Sequence, residues 1–272
     1  MKTRIITAIF AISALVCVIL AGDKIFGGVI FLLSIIAMRE FLNCFKDTNY
    51  KPIKSVSYIS TLWLLILLLR KYLTIDLASI GVILYIIIIA LSLPIIFKSD
   101  KYNIGDIAVT LFGILYIPFL FSFLTLTRGL ENGIYYIWMI FIGASVTDTF
   151  AYFVGCSIGK HKLAPKVSPK KTIEGAIGGV VGTVGVMSLY GLYLNSYIKA
   201  INIPMVHFVV IGLITAIVSQ LGDLCASSIK RYVNIKDYGF ILPGHGGILD
   251  RFDSIMFIAP IIYFYFKLLG GI

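Results

Sequence analysis

The chain has 272 residues, of which 59% are hydrophobic and 13% charged, with a formal net charge of +10 and a mean hydropathy of +0.99. A soluble domain carries roughly 25% charged residues, and in water this apolar surface would form patches that soluble monomers rarely expose. Composition therefore excludes a water-soluble domain, and the positive charge reports topology, anionic ligands or lipid headgroups rather than nucleic acid.

In chain order, apolar windows of about 20 residues predict spans near 4–22, 25–43, 55–70, 73–97, 104–126, 133–156, 173–194, 203–226 and 252–270. The fold class is all-α: a polytopic integral membrane helix bundle with about nine transmembrane helices. Residues 5–21, fronted by Lys2 and Arg4, resemble a cleavable signal. Another apolar run follows Ala21-Gly22 almost at once, so the first span is read as retained. The Arg70-Lys71 pair interrupts an overlong run at 55–97 and predicts a tight turn. Pro94 and Pro118 are placed near helix ends, where a kink is tolerated. Cys17, Cys44, Cys156 and Cys225 are scattered; they read as small buried side chains, with no disulfide framework or zinc spacing.

With the N-terminus in the cytoplasm, most of the 23 Lys and Arg residues fall on the cytoplasmic side. Lys24, Arg70, Lys71, Arg128, Lys199 and Lys267 are left at the outer side. The expectation is a multi-pass protein of the inner (plasma) membrane. Residues 1–126 read as transmembrane scaffold, and 127–272 as the catalytic part with cytoplasmic loops 157–172 and 227–251.

Several polar groups need a reason. Asp148 lies about two turns inside its span, where an ionised carboxylate costs about 2.5–3.5 kcal/mol at mid-helix. It calls for a cation, a basic side chain or a watery cavity; a structural pairing to another helix is the alternative. Asp223 repeats the pattern in the eighth span, and the ninth opens with Asp250-Arg251-Phe252-Asp253. All four aspartates lie toward one membrane face, and gathered oxygen ligands suit a hard cation such as magnesium. Asp253 has a second reading, as a helix-start carboxylate favourable to the dipole or a partner of Arg251.

The segment Pro243-Gly244-His245-Gly246-Gly247 predicts a loop whose backbone amides approach phosphate oxygens. Its flanks, Lys230-Arg231, Lys236-Asp237 and Asp250-Arg251, supply the charges that a metal-bound triphosphate demands. The loop from Lys160-His161-Lys162 to Ser168-Pro169-Lys170-Lys171-Thr172 is lysine-rich. It reads either as the positive-inside signal or as an anion site at a helix start, with Pro169 fixing the turn. His161 is expected to touch phosphate rather than metal, and His207 to sit at the outer interface. The sequence holds no P-loop, no Gly-x-Ser-x-Gly elbow and no His-Glu-x-x-His pair.

The run Ser227-Ser228-Ile229-Lys230-Arg231, Lys236-Asp237 and Leu242-Pro243-Gly244-His245-Gly246-Gly247-Ile248-Leu249-Asp250-Arg251-Phe252-Asp253-Ser254 resembles the signature of phosphatidate cytidylyltransferases, also called CDP-diacylglycerol synthases. Asp148-Thr149-Phe150-Ala151-Tyr152, Gly159 to Pro165, Ser168 to Thr172, Glu174-Gly175 and Gly222-Asp223-Leu224 are similar to that family too, so the resemblance is strong from 143 to 254. It implies transfer of a cytidylyl group from CTP to phosphatidic acid in a membrane fold. It also implies Mg2+, with K+ as a possible second cation, and membrane lipids and a homodimer among the partners.

Carried onto this chain, the resemblance makes Asp223 and Asp250 the first metal ligands, sharing one ion, with Asp148 and Asp253 beside them. Lys170, Lys171, Lys230, Arg231, Arg251 and His245 become the catalytic phosphate contacts. Lys160, Ser168, Lys236, Asp237, Gly244, Gly246 and Gly247 become nucleotide-binding positions. Ala226 stands where the family often has Glu, and Cys156 where a basic residue is common. The rival readings are a CTP-dependent kinase or cytidylyltransferase of another membrane lipid, and a transporter with Asp148 on an ion path.

Overall fold

The computed structural model describes residues 2–69, 77–198, 202–241, 244 and 246–268. These residues form nine helices: α1 (Lys2–Leu20), α2 (Asp23–Cys44), α3 (Lys54–Leu69), α4 (Leu77–Phe97), α5 (Ile104–Arg128), α6 (Gly133–Ile158), α7 (Ile173–Tyr197), α8 (Met205–Tyr232) and α9 (Leu249–Leu268). Each overlaps one predicted span. Helices α2, α5, α6, α7 and α8 are long and apolar enough to cross a membrane. The protein is a multi-pass helical membrane protein. The turn expected at Arg70-Lys71 lies outside the described residues. Among the described residues, the strands form an antiparallel hairpin, β1 (Lys162–Ala164) with β2 (Ser168–Thr172).

By its contacts the chain divides into two units, one of Met1–Thr125 with Ile235–Asp250 and one of Leu126–Asn234 with Arg251–Ile272. In the first unit, polar side chains of α5 fasten the loop between α2 and α3. Asn103 and Asp106 cap α5 reciprocally. The Asp106 carboxylate is 1% exposed and also accepts the Lys51 amide. One turn on, Thr110 Oγ1 accepts the Ile53 amide at 2.8 Å. These bonds satisfy backbone donors that burial would otherwise leave unpaired. Phe41 of α2 packs on Phe112 and Tyr116. It fits because position 113 is glycine: a Cβ there would stand 2.6 Å from the ring.

Pro118 does not lie near a helix end. It sits within α5, inside a π-helical turn at Leu115–Phe119. Proline has no N–H to donate and crowds the preceding turn, and the wider turn absorbs that loss without breaking the helix.

In the second unit, α6 and α7 approach through small residues. Gly175 faces the Ala151 carbonyl, Gly178 faces Val154, and a Cβ at Gly182 would stand 2.2 Å from the Phe150 ring. Within lipid, where apolar surface gains little by leaving the solvent, close backbone packing is what drives helix association. The hydroxyls of Thr147 and Thr183 meet across this contact at 2.7 Å. Gly222 of α8 accommodates the Asp253 carbonyl and Phe257 of α9, and Ser254 Oγ donates to the Ser219 carbonyl at 3.0 Å. Tyr136 of α6 stacks on Phe266 of α9, and His207 Nδ1 lies 2.8 Å from Tyr265 Oη. The cysteines are free thiols. Cys44 is buried as expected, whereas Cys17 and Cys156 are exposed, which costs a small apolar thiol little on a lipid-facing helix.

Candidate active site

The lysine-rich loop is ordered by one acid. Glu174, in the first turn of α7, accepts the amides of Lys160 and His161 and contacts His161 Nδ1 at 2.6 Å. A carboxylate there also complements the helix dipole. Thr172 ends β2 and caps α7, its hydroxyl accepting the Gly175 amide at 3.1 Å. One expectation changes. Pro169 lies within β2 rather than in a turn, a place proline tolerates on an edge strand. His161 is held through Nδ1 by Glu174, with its side chain largely exposed.

Successive side chains of a strand point to opposite faces, and β2 therefore separates its two lysines. Lys170 is exposed and Lys171 half-buried, and the Lys171 ammonium pairs directly with Asp223 Oδ2 of α8. The charges acting on Asp148 of α6 are those of Asp223, Lys171 and Arg251. Those acting on Asp253 of α9 are Asp223, Lys230 and Asp148. Four elements thus bring Asp148, Asp223 and Asp253 together with Lys171, Lys230 and Arg251. Lys230 is 8% exposed and Asp253 likewise 8%; Asp253 Oδ1 also accepts the Ser254 amide at 2.7 Å. Arg231 is exposed, and its Nε donates to the Val167 carbonyl at 3.3 Å, tying α8 to the hairpin turn. Lys160 is solvent-facing, and Ser168 is a half-buried strand residue opposite Ala164.

The residues of 235–250 belong to the first unit. Asp250 and Asp223, expected on one ion, thus fall in different units. Asp250 Oδ2 accepts the amides of Tyr238 and Gly247 at 2.8 and 3.0 Å. Glu40 of α2, 5% exposed, accepts the amides of Ile248 on Oε1 and Leu249 on Oε2, at 3.0 and 2.8 Å. The amide of Gly247, in the loop that the sequence offered to phosphate, and those of Ile248 and Leu249 after it are therefore held by carboxylates. Gly244 and Gly246 have positive φ, 78° and 84°, a region that favours glycine. Lys236 and Asp237 line an open cleft with Asn43, Cys44, Tyr238 and Phe240. Pro243 and His245 lie outside the described residues.

Sequence reasoning missed Glu40. A carboxylate inside an apolar span demands a partner, and that signal was present. It was masked because Arg39-Glu40 fell in the last turn of a predicted span, where charges are ordinary.

The sequence profile of the cytidylyltransferase family matches residues 2–269. The chain belongs to the cytidylyltransferase family. It is 36% identical to a phosphatidate cytidylyltransferase of Staphylococcus saprophyticus over 268 residues, covering 96% of this chain and 97% of the relative. A phosphatidate cytidylyltransferase of Bacillus subtilis is 32% identical over 267 residues, with 97% of each chain covered. One from Staphylococcus aureus is 35% identical over 264 residues, with 96% and 97% covered. Within this cytidylyltransferase, Ala226 is fully buried in α8, a position where a methyl group needs no polar partner. Cys156 is exposed near the end of α6.

A cation held here would meet oxygen donors. Asp148, Asp223 and Asp253 offer only carboxylates and lie within one another's field. One turn before Asp223, the Ser219 hydroxyl is buried with no hydrogen-bond partner among the described residues. Among those residues, no three His, Cys, Asp or Glu side chains form an ion cage by themselves.

Proposed function

We infer that the protein transfers the cytidylyl group of CTP to phosphatidic acid, giving CDP-diacylglycerol and pyrophosphate. The observation that carries this is the match of nearly the whole chain to phosphatidate cytidylyltransferases. The charge cluster in the second unit supplies chemistry suited to it. A phosphomonoester oxygen of the lipid attacks the α-phosphorus of CTP, one P–O bond forms, and the bond to the β,γ-pyrophosphate breaks. No protein nucleophile is required, because the attacking group is already ionised at neutral pH. The burden on the protein is to bring two anions together and offset their charge.

In this reading Lys171, Lys230 and Arg251 receive phosphate oxygens, with Lys170, Lys160 and Arg231 at the rim. The Lys171–Asp223 pair holds that ammonium in place. Asp148, Asp223 and Asp253 would hold Mg2+, with K+ as a possible second cation. When bound, Mg2+ neutralises triphosphate charge and polarises the reacting phosphorus. Asp250, His245, Ser168, Lys236, Asp237 and the loop glycines serve the nucleotide side. The chain crosses the inner membrane about nine times with its N-terminus and basic loops in the cytoplasm, a topology supported by the lysine and arginine asymmetry. The homodimer implied by the resemblance is testable by the mass of the solubilised protein.

The deciding assay supplies purified protein, phosphatidic acid, Mg2+ and CTP labelled in the cytosine ring. The label is expected in the lipid product. Release of labelled CDP with an unlabelled, newly phosphorylated lipid would replace this reading with a kinase.

A further inference from the structure

We propose that Glu40 is a positioning residue for the nucleotide loop. Its carboxylate, from α2, takes the two amides that open α9, 208 and 209 residues away in sequence. Helix-initial amides have no partner within their own helix, and an ionised acceptor bonds them about twice as strongly as a neutral one. Both oxygens are used, one on each amide, which fixes the direction as well as the position of the first turn. That turn carries Asp250, whose Oδ2 in turn holds Tyr238 and Gly247. Tyr238, Gly247 and the first turn of α9 are therefore held by two acids, Asp250 and Glu40.

The loop is shaped around this carboxylate. A Cβ on Gly239 would stand 2.4 Å from Glu40 Oε1, and one on Gly247 would stand 2.5 Å from both carboxylate oxygens. Glycine at these positions is what allows the approach. Two consequences follow for substrate recognition. The amides of Gly247, Ile248 and Leu249 are held by carboxylates and so are unavailable to phosphate. The negative charge of Glu40 beneath the loop is masked by the amides it accepts; without it, the turn that bears Asp250 has no fixed direction.

The inference rests on the cytidylyl-transfer reading, and kinetics separate the two. In wild-type protein, formation of CDP-diacylglycerol tests that reading alone. In Glu40→Gln, which keeps one acceptor and loses the charge, the KM for CTP should rise roughly tenfold, the size of a lost charge-assisted hydrogen bond. The KM for phosphatidic acid should stay within about twofold, as expected when only nucleotide-side binding is lost. A merely structural residue would lower the active fraction and leave both KM values unchanged. Gly239→Ala approaches the same contact from the loop side and should produce the same CTP-selective shift, so the inference survives a poorly folding Glu40 variant. Unchanged KM for CTP in Gly239→Ala, or equal shifts for both substrates in either variant, would overturn it.

Discussion

At the scale of single residues, the charge cluster separates two lysines that the sequence could not. Strand alternation leaves Lys170 in solvent and turns Lys171 onto Asp223. Lys171→Gln should lower kcat/KM by about 100-fold, the usual size of losing a preorganised charge at a reacting phosphate. Lys170→Gln should cost less than about tenfold, as for an exposed cation. Initial rates of CDP-diacylglycerol formation measure both. Asp223→Asn should raise the Mg2+ concentration needed for half-maximal rate, a titration that reads the ion directly; an unchanged titration would remove Asp223 from the ligand set. The aspartates were legible because charge inside an apolar span is conspicuous. Glu40 was masked by its place in the last turn of a predicted span, and its partners are backbone amides more than two hundred residues away, which leave no mark in sequence.

At the scale of elements, hydropathy located every helix among the described residues, because about 20 apolar residues in a row have few other uses. It could not see the hairpin. Polar strands of three and five residues have no apolar periodicity, and here Glu174 and Thr172 rather than a buried face hold them. Nor could it see how Pro118 is accommodated, since a π-helical turn is a local answer to a missing donor. The glycine contact between α6 and α7 yields a packing prediction. Gly182→Ala drives a methyl group into the Phe150 ring and should destabilise by about 1–3 kcal/mol, as for an overpacked core. The midpoint of thermal inactivation in detergent should fall. Adding Phe150→Ala should recover part of the loss, and failure of the pair to interact would argue against this contact. Thr172→Val, which removes the cap, should cost about 1 kcal/mol by the same measurement.

At the scale of the whole molecule, the proposed orientation places the lysine-rich hairpin in the cytoplasm. Trypsin should therefore cut near Lys160–Lys171 in inside-out vesicles and spare that segment in right-side-out ones. The reverse pattern would invert the topology. The first unit is also discontinuous, joining the N-terminal helices to Ile235–Asp250. That discontinuity imposes an order of events during synthesis. Glu40 is made 208 residues before the Ile248 amide that it accepts, a wait of roughly 10–40 s at common elongation rates of 5–20 residues per second. A nascent chain thus carries an unsatisfied acid through most of its translation. Only a chain completed to the start of its last helix can settle it, so an unfinished product left in the membrane has no ordered nucleotide loop with which to capture CTP.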